Sequence, residues 1–148
     1  MPMADFRRLS PTMLASPQIH PEDLTEAASN GVKLIINNRP DGESPDEPQG
    51  PEIEAAAEAA GMRYLAIPIG HSGFSEPQVE AMEEALKQSD GIVLAYCRSG
   101  TRSTFLWSLA QAKSGMDPDE ITAAAQNAGY DIGPIRPALD MFAAQAKT

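Results

Sequence analysis

The run Cys97-Arg98-Ser99-Gly100-Thr101-Arg102-Ser103 gathers a thiol, two guanidinium groups, three hydroxyls and a glycine, and Cys97 is the only cysteine of the chain. A thiolate is a nucleophile, a guanidinium is a planar donor matched to an oxyanion, and a hydroxyl beside them can donate to a sulfur anion. Gly100 lets the backbone turn sharply and approach a ligand closely. Cys97, Arg102 and Ser103 are therefore the candidate catalytic residues. Arg98, Ser99, Gly100 and Thr101, the four residues between Cys97 and Arg102, are the candidate anion-binding loop.

Such a loop acts only if its neighbours aim it. "GIVLAYC" (Gly91 to Cys97) is a short apolar run of the kind found in buried strands, and after Thr101 the residues Phe105, Leu106, Leu109 and Ala112 recur at helical spacing. Loop amides and the first N–H groups of that helix then converge on one point, where the helix dipole adds about half a positive charge. Thiols at helix N-termini beside cations fall from a pKa of about 8.5 to as low as roughly 3.5–7.5, which predicts Cys97 as a thiolate at neutral pH. The plainer reading of a lone cysteine ending an apolar strand is a small buried hydrophobe. Filling a core requires neither flanking arginines nor a glycine, so the run favours an activated nucleophile.

The same alternation extends along the chain. "VKLIINN" (Val32 to Asn38) and "RYLAIPI" (Arg63 to Ile69) read as further buried strands, and "TMLAS" as a short edge strand. Between them lie helical stretches. "PEDLTEAASNG" has Pro21 at the first helical position and Asn30-Gly31 as C-cap. "EIEAAAEAAG" ends at Gly61, and Ser75 with Gln78 forms a capping box for the helix after it. Asp117 caps "DPDEITAAAQNAG" with Glu120 at the reciprocal position, and a last helix in "PIRPALDMFAAQA" is broken early by Pro137. Strand and helix in alternation predict a three-layer α/β fold, a mostly parallel central sheet of four to five strands flanked by helices, in one domain over residues 1–148. Ligands bind such sheets beyond the carboxyl ends of the strands, where the loops after Asn38, Ile69 and Cys97 should meet. That brings in two more candidates. Arg39 could hold an anionic substrate or pair with Asp41 or Glu43, and His71 could tune Cys97 or bind substrate or simply face solvent. The proline-, glycine- and acid-rich segment Arg39 to Pro51 is predicted to be a loop over the site.

Composition limits the partners. The 11 basic and 21 acidic residues among 148 give a net charge of −10, which disfavours nucleic acid and anionic membrane surfaces. Any anionic ligand must be held by a local concentration of positive groups. A single cysteine forms no internal disulfide, no apolar run approaches the roughly 20 residues that span a bilayer, and the N-terminal stretch lacks a secretory signal. These features predict a cytoplasmic protein. One cysteine and two histidines predict no metal site, and no cofactor is expected.

"YCRSGTRS" resembles the active-site loop of rhodanese-type sulfurtransferases, in which cysteine and arginine begin and end a six-residue loop. It is similar also to the loop of cysteine-dependent phosphatases, which places five residues between them where this chain has four. "SPQIHPEDL", "IINNRPDGE", "EAAGMRYLAIPI", "VLAYCRSGTRS" and "AAQNAGYDI" together resemble the bacterial beta-lactamase-hydrolase-like, phosphatase-like domain family, over about Ser16 to Ile132. That resemblance implies a dual-specificity or tyrosine-phosphatase-like fold. It also implies a link to sulfide metabolism, since some members are fused to persulfide dioxygenases.

Two chemistries and one noncatalytic role follow. In sulfur transfer, Cys97 takes the outer sulfur of thiosulfate or a persulfide and passes it to an external thiol such as glutathione, since the chain has no second cysteine. In phosphoester hydrolysis, Cys97 attacks phosphorus and a separate acid protonates the leaving alcohol. The phosphatases use an aspartate on a loop after an earlier strand, and "IPIGHSGFSEP" has none, although His71 could substitute. Tyr96 also stands where that family has a histidine before the nucleophile. The missing acid and the short loop favour sulfur. A noncatalytic anion-binding module is the third reading.

Overall fold

The apolar runs meet in one sheet. The computed structural model describes residues 5–40, 48–70 and 73–146, with five strands in the order β1-β2-β5-β3-β4. Strand β5 (Ile92–Tyr96) is central, parallel to β2 (Met13–Ser16) on one side and to β3 (Val32–Asn37) on the other. Strand β4 (Arg63–Ala66) continues the parallel sheet beyond β3, and β1 (Arg7–Ser10) pairs antiparallel with β2.

Two apolar layers share this sheet. Leu94 and Tyr96 join Leu14 and Ile35 under α1 (Asp23–Ser29) and α2 (Gly50–Ala59). Val93 and Ala95 join Met13, Ala15 and Ile36 under α3 (Glu76–Gln88), α4 (Thr101–Lys113), α5 (Pro118–Asn127) and α6 (Arg136–Ala146). A one-residue slip of β5 would exchange these two packed sets, so its register is strongly specified, and with it the position of Cys97. Helix α4 is buried on nearly every side. Its Trp107 is 1% exposed, and the buried hydroxyls of Thr104 and Ser108 are satisfied by donating to the carbonyls of Gly100 and Thr104 one turn back (2.9 and 2.7 Å).

Several local expectations change. β2 is an interior strand, because Arg7–Ser10 pairs outside it as β1; that segment is short and charged, as edge strands are, and only its Leu9 is buried. β4 is the other edge, with Leu65 37% exposed. The buried apolar residues of its run, Ile67 and Ile69, lie past the end of the strand. Helix α1 begins at Asp23 rather than at Pro21, and α2 begins at Gly50, inside the segment expected to be loop. The Ser75–Gln78 capping box forms in both directions, whereas Asp117 makes no side-chain cap bond. Pro137 is the second residue of α6 and does not break it, because a first-turn proline gives up no intrahelical hydrogen bond. No described helix is long and apolar enough to cross a membrane.

Candidate active site

The parallel strands deliver their carboxyl ends to one edge, and backbone hydrogen bonds continue beyond the strands themselves. Asn38 N–H donates to the Tyr96 carbonyl (2.9 Å), Cys97 N–H to Ser16 (3.3 Å) and Gln18 N–H to Arg98 (3.2 Å). The segment after β4 is tied in the same way: Ile67 and Ile69 donate to the carbonyls of Asn37 and Asn38, and the buried Asn38 amide returns a bond to the Ile67 carbonyl at 2.9 Å. Cys97 therefore leaves β5 on a frame built from three neighbouring segments.

The loop closes over the sulfur. Gly100, at φ +92°, is the N-cap of α4, a left-handed conformation that glycine adopts without the strain of a Cβ. Its N–H points back to the Cys97 Sγ at 3.1 Å. The Ser99 hydroxyl donates to Thr101 Oγ1 (2.9 Å) and accepts from the Thr101 N–H (3.3 Å), while the side chains of Arg98 and Ser99 stay exposed. Cys97 itself is 0% exposed. Such an arrangement offers a sulfur anion one amide dipole directly and the N-terminal dipole of a 13-residue helix behind it.

Arg102, in the first turn of α4, is half-buried and donates through Nη1 to the Ile69 carbonyl at 2.8 Å, which anchors its guanidinium to the segment after β4. Ser103 Oγ is buried and makes no hydrogen bond among the described residues, so the contact with sulfur expected of it is not formed. Arg39 takes a different position. It is 6% exposed, donates to Gln18 Oε1 (2.6 Å) and lines a small cleft with Gln18, Asn37, Pro40, Pro48, Gln49, Gly50 and Tyr96, on the α2 side of β5. That cleft lies beside Cys97 and does not include it among its lining. His71, and the Asp41 and Glu43 considered as partners of Arg39, fall outside the described residues.

One residue at the site carried no prediction. Tyr130 follows α5 and the left-handed Gly129, is 7% exposed, and donates its hydroxyl to the Ser99 carbonyl at 3.1 Å. Arg7, brought in by β1, lies over its ring at 5.1 Å and donates to the Ala128 carbonyl (3.4 Å). Burial pushes the Tyr130 phenol above its ordinary value; Arg7 opposes this, and the nearby Cys97 and Asp5 add to it. The phenol therefore stays a donor at neutral pH. The clue in the sequence was an aromatic residue directly after a helix-ending glycine in "AAQNAGYDI", but nothing local reports a partner 31 positions away.

Residues 5–114 match the family model described as beta-lactamase hydrolase-like protein, phosphatase-like domain. A beta-lactamase hydrolase-like protein of Xylella fastidiosa is 35% identical over 119 residues, covering 80% of this chain and 28% of the relative. The chain thus spans little more than a quarter of that relative's length. Among solved structures, a protein of Neisseria meningitidis described as a candidate phosphatase superposes with a TM-score of 0.82 at 34% identity, over 93% of this chain and 98% of the other. The human tyrosine phosphatase-like serine/threonine/tyrosine-interacting protein superposes with a TM-score of 0.75 at 17% identity, covering 97% of this chain and 98% of that one, a likeness of fold alone.

Proposed function

The chain belongs to the beta-lactamase hydrolase-like, phosphatase-like domain family, and from that premise we propose that it is a cysteine-dependent enzyme of small anions that transfers sulfane sulfur through Cys97. The observation that carries the reading is the loop: four residues separate Cys97 from Arg102, and they close so tightly that Gly100 N–H sits on a fully buried Sγ. In the first step the Cys97 thiolate attacks the outer sulfur of thiosulfate. A Cys97 persulfide bond forms, the bond to the sulfonate sulfur breaks, and sulfite leaves with the electron pair. An external thiolate then attacks the outer sulfur of that persulfide and restores the Cys97 thiolate. Loop amides and Arg102 stabilise the anionic sulfur and the departing oxyanion. Neither leaving group needs a proton, consistent with the absence of a carboxylate between Ile67 and Ser75.

A second reading, phosphoester hydrolysis through a phosphocysteine, draws on the relatives. The Neisseria protein, 34% identical, is described as a candidate phosphatase, and none of the proteins named above is described as a sulfurtransferase. In this reading Arg102 binds the phosphoryl oxygens, and His71 substitutes for the missing acid.

Incubation with thiosulfate or glutathione persulfide, followed by intact mass and by turnover with cyanide or glutathione, separates the two. Sulfur transfer expects one added sulfur on the wild type and none on Cys97→Ser. No sulfur loading together with Cys97-dependent hydrolysis of an aryl phosphate would replace this reading with the second.

A further inference from the structure

We propose that Tyr130 is the positioning residue of the Cys97 loop: its hydroxyl holds the Ser99–Gly100 peptide in the orientation that aims the Gly100 N–H at the sulfur. The inference rests on Cys97 being the nucleophile and adds what keeps it activated. The Ser99 carbonyl and the Gly100 N–H belong to one planar trans peptide, so they point in opposite directions and move together. Tyr130 Oη donates to the carbonyl end at 3.1 Å, and the N–H end donates to Cys97 Sγ at 3.1 Å. Fixing one end therefore fixes the other.

A lock is needed here because Gly100 is free where other residues are not. Its backbone, at φ +92°, carries no Cβ to resist rotation of the preceding peptide. A rotated peptide would turn the Ser99 carbonyl oxygen toward Sγ, replacing attraction of a thiolate by repulsion. The hydrogen-bonded chain from phenol through peptide to sulfur also polarises in a single direction, each bond strengthening the next. Tyr130 is itself held. Its N–H donates to the Ala125 carbonyl (2.9 Å), and its ring lies under Arg7, which is paired with Asp5 at 2.9 Å. The ionisable groups that reach the phenol are Arg7, Asp5 and Cys97.

Cys97 is the sole cysteine, so the rate of iodoacetamide alkylation across pH reports it alone. Tyr130→Phe keeps the ring and removes the donor. The expected result is a folded protein whose alkylation profile has its midpoint about one pH unit higher, and which reacts about tenfold more slowly below the wild-type midpoint. A merely structural tyrosine would lower the melting temperature and leave the midpoint in place. A folded Tyr130→Phe with an unmoved midpoint overturns the proposal, whatever the activation of the wild type. Should Tyr130→Phe not fold, 3-fluorotyrosine incorporated at position 130 preserves ring and hydroxyl while making a stronger donor. It is expected to lower the midpoint, and no change there overturns the proposal. A wild-type midpoint equal to that of a free thiol overturns the nucleophile reading, and this inference with it.

Discussion

Replacing Gly100 by alanine should cost the fold about 2–3 kcal/mol, in two separable parts. The left-handed backbone at φ +92° costs an L-residue about 1–2 kcal/mol. The new Cβ would collide with Tyr130 Oη, lie 2.9 Å from its Cζ and stand 3.2 Å from the Ser16 carbonyl carbon. Ser16 is the last residue of β2 and is hydrogen-bonded to Cys97 N–H, so it cannot retreat. Tyr130 must move instead and gives up its bond to the Ser99 carbonyl, a loss of about 1 kcal/mol. At about 3 °C per kcal/mol for a chain of this size, the melting temperature should fall by about 6–9 °C. Urea unfolding of the four proteins of a double-mutant cycle with Tyr130→Phe tests the origin of the cost. Removing Oη removes the colliding atom, so the Gly100→Ala penalty should shrink toward its backbone part. The coupling should approach 1 kcal/mol, reduced to the extent that the ring carbon still obstructs. A total penalty below about 0.5 kcal/mol, or the same penalty in both backgrounds, would refute the claim that Gly100 and Tyr130 share one tightly filled space.

Two further outcomes are expected. Arg102→Lys keeps the charge but loses the planar fork held on the Ile69 carbonyl at 2.8 Å, and sulfur loading should fall about 100-fold with little change in melting temperature; nearly full activity would contradict the geometric role. The Tyr130 phenol is raised in the folded state, so the native protein keeps its proton longer than the unfolded chain does. Unfolding free energy should then decline as pH rises from about 10, the unfolded tyrosine value, through the higher folded value, and the decline should be shallower in Tyr130→Phe. Equal slopes in pH-dependent urea unfolding would remove that linkage.

What the sequence made legible was what short-range pattern encodes. The continuous run Ile92 to Tyr96 announced a strand buried on both faces, and the glycine and arginines after it announced a loop into a helix; both are where they were expected. Ser75 and Gln78 carry their meaning within four residues, and their capping box forms. Partnership was not legible. Nothing in "RRLS" marks it as a strand, because its pairing energy comes from Leu14 and Ala15 across the sheet rather than from its own apolar content. The run "RYLAIPI" looked buried because Ile67 and Ile69 are, yet those two residues serve the crossing segment that fixes Arg102, while the strand before them lies at the edge. Tyr130 was invisible as a site residue for the same reason: its role is a contact between the end of α5 and the loop after β5. Arg39, legible as a basic residue near the site, lines the neighbouring cleft and is held there by Gln18.

The sulfur transfer proposed above draws support from what the segment after β4 already does. An alkoxide leaving group requires a proton, and phosphatases supply it from such a segment; sulfite and thiolates leave as stable anions. Here its first residues, Ile67 to Ile69, serve as scaffold. Ile67 and Ile69 are buried at 5% and 1% exposure, their N–H groups are bonded to Asn37 and Asn38, and the Ile69 carbonyl takes Arg102 while the Pro68 carbonyl takes the Gln78 amide at 2.8 Å. From Ile67 to Ser75 the segment carries no carboxylate, and His71 is its only ionisable side chain. The chain is strongly acidic, with 21 acidic residues, so a carboxylate was easy to come by and its absence from this stretch is consistent with a reaction that does not ask for one. In a chain of net charge −10, the groups that offer positive charge or dipole around the Cys97 loop are the amide of Gly100, the N-terminus of α4 and the guanidinium of Arg102. In the sulfur transfer proposed above, those groups would hold the small anionic donor against Cys97.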